Sequence, residues 1–211
     1  LDQRRVHQDY VSVAILRDIL ERHEIKNEHL LRYLIKFILT NVSKPVSFNK
    51  LFNDLKNQGQ SVGKNTIYEY FNHISDCYLS FLVPLYTEST RKQESNPRKA
   101  YAVDTGISRS HMIGISENMG RLFENLVYLD FRRHNYDVHY YLTRTGREID
   151  FIARSFEGQP RIVQVCFDLQ DPGTYEREKT ALLQAESELG ITGSLVTPAN
   201  YLAFLSSLRE P

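Results

Sequence analysis

Three polar side chains in the second half of the chain have the types and spacing that could hold a divalent cation. Glu124 lies in a segment whose apolar residues recur at helical spacing, and Asp150 and Gln164 lie in two later apolar runs. A helix acid, a strand acid and a third oxygen ligand on the next strand can converge on Mg²⁺, which activates water and neutralises charge on a reacting phosphate. Glu124, Asp150 and Gln164 are therefore the candidate catalytic residues, with Asp150 and Glu124 as candidate metal ligands.

The third position lacks the charges that this chemistry normally uses. Gln164 is a neutral ligand where a Glu would add a negative charge, and Cys166 stands where a Lys would position the water. A protonated thiol carries no charge. Residues two apart on a strand share a face, so Asp168 could supply a replacement carboxylate, and Glu148 would point the same way as Asp150. We expect a degenerate, inactive site, whose acids hydrogen-bond within the fold.

The segments around these residues have the pattern of an α/β unit. Apolar residues at helical spacing predict helices, and β-branched and aromatic residues in short runs predict strands. The predicted elements are a helix over 120–134, strands over 137–143, 148–154 and 161–169, a helix over 174–190, a strand over 191–198 and a last short helix over 201–208.

The first half has the outline of a winged helix. Helical spacing of apolar residues predicts four helices, and two extended segments follow them. Winged helices contain, in this order, a helix, a short helix, a turn, a third helix and a two-stranded ribbon. The predicted helices cover 10–23, 28–41, 47–59 and 65–79, and the strands cover 81–86 and 100–104, with a polar linker between them.

A winged helix offers two places for contact with DNA. The second helix of the motif enters the major groove, and basic residues of the wing touch phosphate. The alternative is that the wing, residues 87–99, is a solvated hairpin tip, and Glu69 and Asp76 on the recognition helix would weaken DNA affinity. The candidate DNA-binding residues are Lys64, Asn65, Tyr68, Arg91, Lys92, Arg98 and Lys99.

Composition excludes several classes of protein. The 211 residues carry 26 Lys and Arg and 26 Asp and Glu, so a histone-like electrostatic binder is excluded and any nucleic-acid surface must be a local patch. We find no signal peptide and no apolar run of the roughly 18 residues that a membrane helix needs. The two cysteines, Cys77 and Cys166, lie far apart, which excludes a disulfide framework and fits the cytoplasm. The chain begins at Leu1, so we expect it to be a piece of a longer protein.

Other motifs have simpler explanations. The run Gly63–Thr66 resembles the end of a P-loop, but it lacks the first glycine and the strand before it, so we reject nucleotide binding there. Arg22 has the spacing for an ion pair with Asp18 on one helix, which we favour over a role at a nucleotide. The seven histidines are dispersed, and we expect surface positions for them because no pair has metal spacing and a supporting acid cluster.

Several stretches together resemble one family. "GRLFEN", "GREIDFIA", "VQVCFDL" and "EREKTALLQAESELGITGSLVTP" resemble the C-terminal domain of uncharacterised bacterial and archaeal AAA-type ATPases, a domain similar to the PD-(D/E)XK restriction-endonuclease fold. "RDILERHEIKN", "SFNKLFNDLKNQG" and "NPRKAYAVDTGI" resemble the winged-helix stretch that precedes it. The resemblance covers nearly the whole chain, but Gln164 and Cys166 depart from the family's usual Glu-x-Lys.

The resemblance implies an α+β / α/β architecture in three parts. These are a helical segment over 1–28 after a missing ATPase core, a winged helix over 29–100 and a restriction-endonuclease-like domain over 101–211. The implied function is a recognition or output module that contacts DNA, has no ATPase activity of its own, and has the ATPase domain of its own chain as a partner. ATP would bind only in that missing domain, and this stretch would need no cofactor of its own.

Two alternatives stay open. The first is a Mg²⁺-dependent DNA endonuclease that uses Glu124, Asp150 and Gln164 or Asp168, in which case Mg²⁺ is the cofactor. The second is a protein-interaction module in which the winged helix docks on the ATPase core or on another protein. None of the three readings involves a membrane.

Overall fold

The computed structural model describes residues 2–114, 118–156, 158–168 and 172–209. They form a mixed α+β protein with two sheets, which confirms the predicted class at that level. In chain order the elements are α1 (Gln3–Asp9), a π-helical stretch (Tyr10–Ile15), α2 (Leu16–Arg22), α3 (Glu28–Thr40), β1 (Pro45–Val46), α4 (Phe48–Asn57), α5 (Lys64–Asp76), β2 (Ser80–Val83), α6 (Thr90–Ser95), β3 (Arg98–Ala102), α7 (Thr105–His111), α8 (Met119–Arg133), β4 (Asp137–Leu142), β5 (Glu148–Arg154), β6 (Arg161–Val165), α9 (Pro172–Leu189), β7 (Gly193–Val196) and α10 (Tyr201–Ser207).

The chain divides into two compact units, and each is made of two separate stretches. The first unit comprises Leu1–Leu82 and Pro97–Ile115, and the second comprises Val83–Asn96 and Ser116–Pro211. The ends of the predicted segments 1–28 and 101–211, at residues 1, 210 and 211, lie outside the described residues.

The first unit is built around α3. The Asn27 side chain accepts a hydrogen bond from the Leu30 backbone N–H at 3.0 Å, which begins the helix at a capping residue. Ser47 caps α4 in the same way, through the Lys50 N–H at 3.3 Å. The helix α3 presents a broad apolar stripe to the core, and burial of that stripe stabilises it. The buried residues of α3 are Leu30, Leu31, Leu34, Ile35, Ile38 and Leu39.

The first sheet has three short strands in the order β1-β3-β2. β1 and β3 are antiparallel, with Pro45 opposite Lys99 and Val46 opposite Arg98. The central strand β3 follows α6 in the chain, yet it lies between the two strands that precede that helix.

The second unit contains a four-stranded sheet in the order β4-β5-β6-β7. The pairs β4–β5 and β5–β6 are antiparallel, and β6–β7 is parallel. A parallel pair needs a long crossover connection, which α9 provides. Ala181, Leu182 and Ala185 of that helix lie in one core cluster with Ile149 and Ile162 of the sheet.

Three local expectations differ from the structure. The polar linker predicted between the first two strands contains α6, whose start is capped by Ser89 through the Lys92 N–H at 3.3 Å. The first helical stretch begins at Gln3, earlier than its apolar spacing indicates, and α7 was not predicted. The strand predicted over 161–169 ends at Val165, and Leu169 lies outside the described residues.

Within the ranges that the structure describes, no helix combines the length and the apolar character needed to cross a lipid bilayer.

Candidate functional site

The second unit contains a cavity of about 340 Å³ that brings the predicted catalytic residues together. Glu124 reaches it from α8, Asp150 from β5 and Gln164 from β6, so three elements far apart in sequence meet at one place. The other charged side chains of the lining are Glu148, Glu178, Arg147 and Arg177.

A tight turn between β4 and β5 carries part of the lining. Gly146 adopts a φ of 81°, a left-handed conformation that glycine reaches without strain. Its N–H donates to the Thr143 carbonyl at 2.8 Å, and the Thr143 hydroxyl accepts from the Arg147 N–H at 3.0 Å. The turn therefore sets where Arg147 and Glu148 enter the cavity.

Asp150 and Gln164 hold each other across β5 and β6. The Asp150 N–H donates to the Gln164 side-chain oxygen at 3.0 Å, and Asp150 Oδ2 accepts from the Val165 N–H at 3.0 Å. Both side chains are buried. Gln164 therefore has a structural role that does not require a metal ion.

Glu178 is the residue that sequence reasoning missed. It lies on α9, and its Oε2 accepts a 2.6 Å hydrogen bond from the amide nitrogen of Gln164. Its Oε1 accepts from Arg177 at 2.8 Å. Glu178 thus brings a carboxylate to the position where Gln164 offers none. The sequence signal was the charged run Glu176–Lys179 at the start of a helix, which does not show which of its acids faces the sheet.

Asp168, proposed as a replacement carboxylate, and Cys166, which stands where a Lys is missing, are not among the described residues that line the cavity. Cys166 is buried, and its thiol donates to the Asp168 carbonyl at 3.3 Å. Burial, and then the nearby charges of Glu178 and Asp168, raise the pKa of this thiol, which keeps it neutral. Asp168 is exposed and is not among the described residues that line the cavity.

The donor set of the cavity suits a hard cation. Carboxylate oxygens are the ligands that Mg²⁺ prefers, and Glu124, Asp150 and Glu178 could supply them. Arg147 could balance negative charge on a phosphate, because its side chain is exposed and lines the same cavity. The lining therefore has ligand types that suit a divalent cation beside a phosphate, but no three of its described carboxylates bring ligand atoms within 4.8 Å of one another, and no lysine lies among the described lining residues.

The first unit presents a second candidate surface at the start of α5. Lys64 and Asn65 are exposed, and Tyr68 is 37% exposed. The Tyr68 ring packs against Phe48, with 4.5 Å between centroids, and the Lys64 ammonium lies 5.9 Å from the Tyr68 centroid. Gly63 precedes α5 and makes no side-chain capping hydrogen bond. It therefore offers no side-chain acceptor to the first N–H groups of the helix.

The candidate wing residues do not share one environment. Arg91 and Lys92 are exposed on α6 in the second unit, whereas Arg98 and Lys99 lie on β3 in the first. Arg98 is half-buried. Lys99 is fully buried, so it contributes no charge to the surface and is not available to a phosphate.

Two of the histidines are not dispersed surface residues, contrary to expectation. The rings of His23 and His73 stack in the first unit, with 3.6 Å between centroids and 18° between planes. Sequence reasoning missed them because fifty positions separate them. The predicted ion pair of Asp18 with Arg22 is present at 2.8 Å.

Comparison with known proteins identifies the family. A domain of unknown function, DUF8612, matches residues 1–119. The chain belongs to this family. The DUF8612 match covers the α5 surface and the histidine pair, and it ends before Glu124, so it does not cover the carboxylate cavity.

Two curated relatives match beyond that domain. An uncharacterized protein of Methanocaldococcus jannaschii is 29% identical over 190 residues, which are 89% of this chain and 42% of the relative. An uncharacterized protein of Haemophilus influenzae is 29% identical over 165 residues, 78% of this chain and 40% of the relative. The chain thus spans about two-fifths of the length of these relatives. No solved structure matches the chain.

Proposed function

We propose that this chain is the recognition and output module of a AAA-type ATPase and that it contacts duplex DNA through the start of α5. The order α3, β1, α4, α5, β2, β3, with β3 between the other two strands, supports a winged-helix interpretation of the first unit. In that fold α5 is the helix that would enter the major groove.

The observation that carries the proposal is the exposed group at the beginning of α5. Lys64 offers a positive charge and Asn65 offers amide donors and acceptors, while Tyr68 is held in place by Phe48. A helix N-terminus also favours anions through its dipole and its N–H groups. Together these groups suit a phosphate and the base edges next to it.

Acidic residues farther along α5 limit the strength of that contact. Glu69 and Asp76 are exposed on the same helix and would repel phosphate. We therefore expect weak, salt-sensitive binding that uses the first turn of the helix, with the rest of the affinity supplied by other parts of the parent protein.

The ATPase part of the proposal rests on the resemblance and on length. The curated relatives continue well beyond the aligned stretch, which leaves room for an ATPase domain that would bind ATP. Free thiols at Cys77 and Cys166 are compatible with the reducing cytoplasm that we propose for it.

Fluorescence anisotropy of a labelled duplex, titrated with this chain at low and at physiological salt, tests the contact. We expect log affinity to fall with log salt by about 0.9 per phosphate contacted. Lys64→Gln should weaken binding and lower that slope. Lys36→Gln, the same charge change at an exposed position of α3, is the matched control.

No binding at low salt would overturn the DNA proposal and favour the remaining interpretation, a winged helix that docks on a protein. Equal losses in Lys64→Gln and Lys36→Gln would show that the contact is not at α5.

The carboxylate cavity favours a second candidate function, Mg²⁺-dependent cleavage of DNA. Glu178 adds a carboxylate beside Gln164, so Glu124, Asp150 and Glu178 could share a cation that activates water if their side chains move closer than they lie in this structure. A plasmid-nicking assay with Mg²⁺ or Mn²⁺ tests this. Activity should disappear in Asp150→Asn and Glu178→Gln and persist in Glu176→Gln, an exposed acid on the same helix.

The absence of nicking with either cation would reject the nuclease and support the degenerate site that Gln164 and Cys166 led us to expect. The anisotropy result is independent of this outcome, because the α5 surface and the cavity belong to different units.

A further inference from the structure

We propose that His23, His73 and Asp76 form a binding site for a transition-metal cation such as Zn²⁺. His23 directly follows α2, and His73 and Asp76 are three positions apart on α5, so one helix supplies two ligands and a neighbouring segment supplies the third. The site lies in the first unit, whereas the carboxylate cavity lies in the second. Two of its three ligands are imidazoles, and the cavity offers carboxylates.

The ligand atoms already lie close together. One ring nitrogen of each histidine and one carboxylate oxygen of Asp76 lie within 4.8 Å of one another. Tetrahedral Zn²⁺ with bonds of about 2.0–2.1 Å would bring its ligand atoms to roughly 3.4 Å. Small side-chain rotations of an exposed Asp76 and of two half-buried rings would close that difference.

The two imidazoles lie side by side in the first unit, with 3.6 Å between ring centroids and 18° between ring planes. A metal ion binds the neutral ring, so Zn²⁺ and protons compete for the same ring nitrogens.

Open space lies beside the two histidines. A cavity of about 540 Å³ is lined by both of them, by Glu69 and by Tyr70, whereas Asp76 is not among its described lining residues. Three protein ligands leave a fourth position for water or an external ligand. Arg22 also lines this cavity, but its charge is balanced by Asp18 at 2.8 Å, which reduces its repulsion of a cation.

The donor types predict which cations bind. Two imidazole nitrogens with one carboxylate suit Zn²⁺, Co²⁺ or Ni²⁺, whereas Mg²⁺ and Ca²⁺ prefer oxygen ligands alone. We therefore expect Zn²⁺ to bind this site even when Mg²⁺ is present in excess.

Isothermal titration calorimetry of the untagged 211-residue chain with ZnCl₂ in excess Mg²⁺ tests the site. We expect one Zn²⁺ per chain, and a loss of affinity of at least about tenfold in His23→Gln and in Asp76→Asn. His29→Gln changes an exposed histidine on α3 and should bind like the wild type. Asp150→Asn reports whether Zn²⁺ binds in the carboxylate cavity instead of at the histidines. Circular dichroism of each variant verifies the fold, and Asp76→Asn decides the matter if the half-buried His23 variant does not fold.

Three outcomes would overturn the proposal. They are no Zn²⁺ binding by the wild type, binding that survives both His23→Gln and Asp76→Asn, and binding that is lost in Asp150→Asn instead. None of these outcomes depends on whether the chain binds DNA.

Discussion

The side-chain amide of Gln164 joins Asp150 to Glu178. Its oxygen accepts from the Asp150 N–H at 3.0 Å and its nitrogen donates to the Glu178 carboxylate at 2.6 Å, so one neutral residue connects β5 to α9. A carboxylate could make the first of these bonds but not the second.

Gln164→Glu should therefore destabilise the protein. The substitution replaces a donor with a second carboxylate beside Glu178, so a buried hydrogen bond is lost and like charges face each other. We expect a loss of about 1–3 kcal/mol in the free energy of unfolding, measured in urea, and partial recovery with Mg²⁺. Gln3→Glu, the same change at an exposed site, should alter stability by less than about 0.5 kcal/mol. Equal stability of Gln164→Glu and the wild type would refute the structural role of the amide.

Replacing either of two glycines in the second unit by alanine should change the stability of the protein, in opposite directions. Gly146 has a φ of 81°, so Gly146→Ala should cost about 1 kcal/mol even though no atom lies within 4 Å of the new methyl group. Gly120 lies in α8 with Phe167 Cβ at 3.8 Å from the new group, so Gly120→Ala should stabilise by about 0.5–1 kcal/mol. Urea unfolding measures both. Stabilisation by Gly146→Ala would contradict the left-handed turn.

Tyr201 supports a buried carboxylate. Its hydroxyl donates to Asp130, which is buried and also accepts from Arg133 at 2.9 Å. Tyr201→Phe leaves Asp130 with one partner fewer, and we expect a loss of about 1–3 kcal/mol in thermal or urea unfolding. Tyr10→Phe removes a hydroxyl from a side chain that is 50% exposed and should have little effect. A similar loss in both variants would show that Asp130 is not the cause.

The thiol of Cys77 should react slowly with alkylating agents in the folded protein. Burial, and then the hydrogen bond to Asp18 at 3.2 Å, together raise its pKa from an ordinary 9.0 to about 11. The folded state holds this proton more tightly than the unfolded state. The thiol's contribution to stability is therefore complete below about pH 9 and is lost as the pH rises through about 11.

The pH dependence of iodoacetamide labelling in a Cys166→Ser background measures this shift. Asp18→Asn should move the midpoint toward the ordinary value, whereas Asp54→Asn, an exposed acid on α4, should not. A midpoint that is the same in the folded protein and in urea would contradict the prediction.

Sequence patterns predicted the elements that carry the candidate site, because apolar spacing on α8, β5 and β6 is strong. The same patterns placed Glu124, Asp150 and Gln164 on those elements, and the structure brings the three residues into one cavity. Periodicity could not show that Glu178 faces the cavity, since α9 has several acids and their faces depend on tertiary packing.

Short polar elements and distant partners were beyond sequence reasoning. The six residues of α6 have no apolar stripe, so nothing separates them from a loop. Lys99 is an ionisable residue, yet it is fully buried on β3, the central strand of the first sheet. His23 and His73 meet through packing of α5 against the segment that follows α2, and no local pattern reports such a meeting.

Stretches of the two units alternate along the chain, since Val83–Asn96 belongs with the residues that follow position 115. Neither unit is therefore a single uninterrupted run of residues. Recombination that exchanges one continuous gene segment cannot replace one unit and leave the other whole.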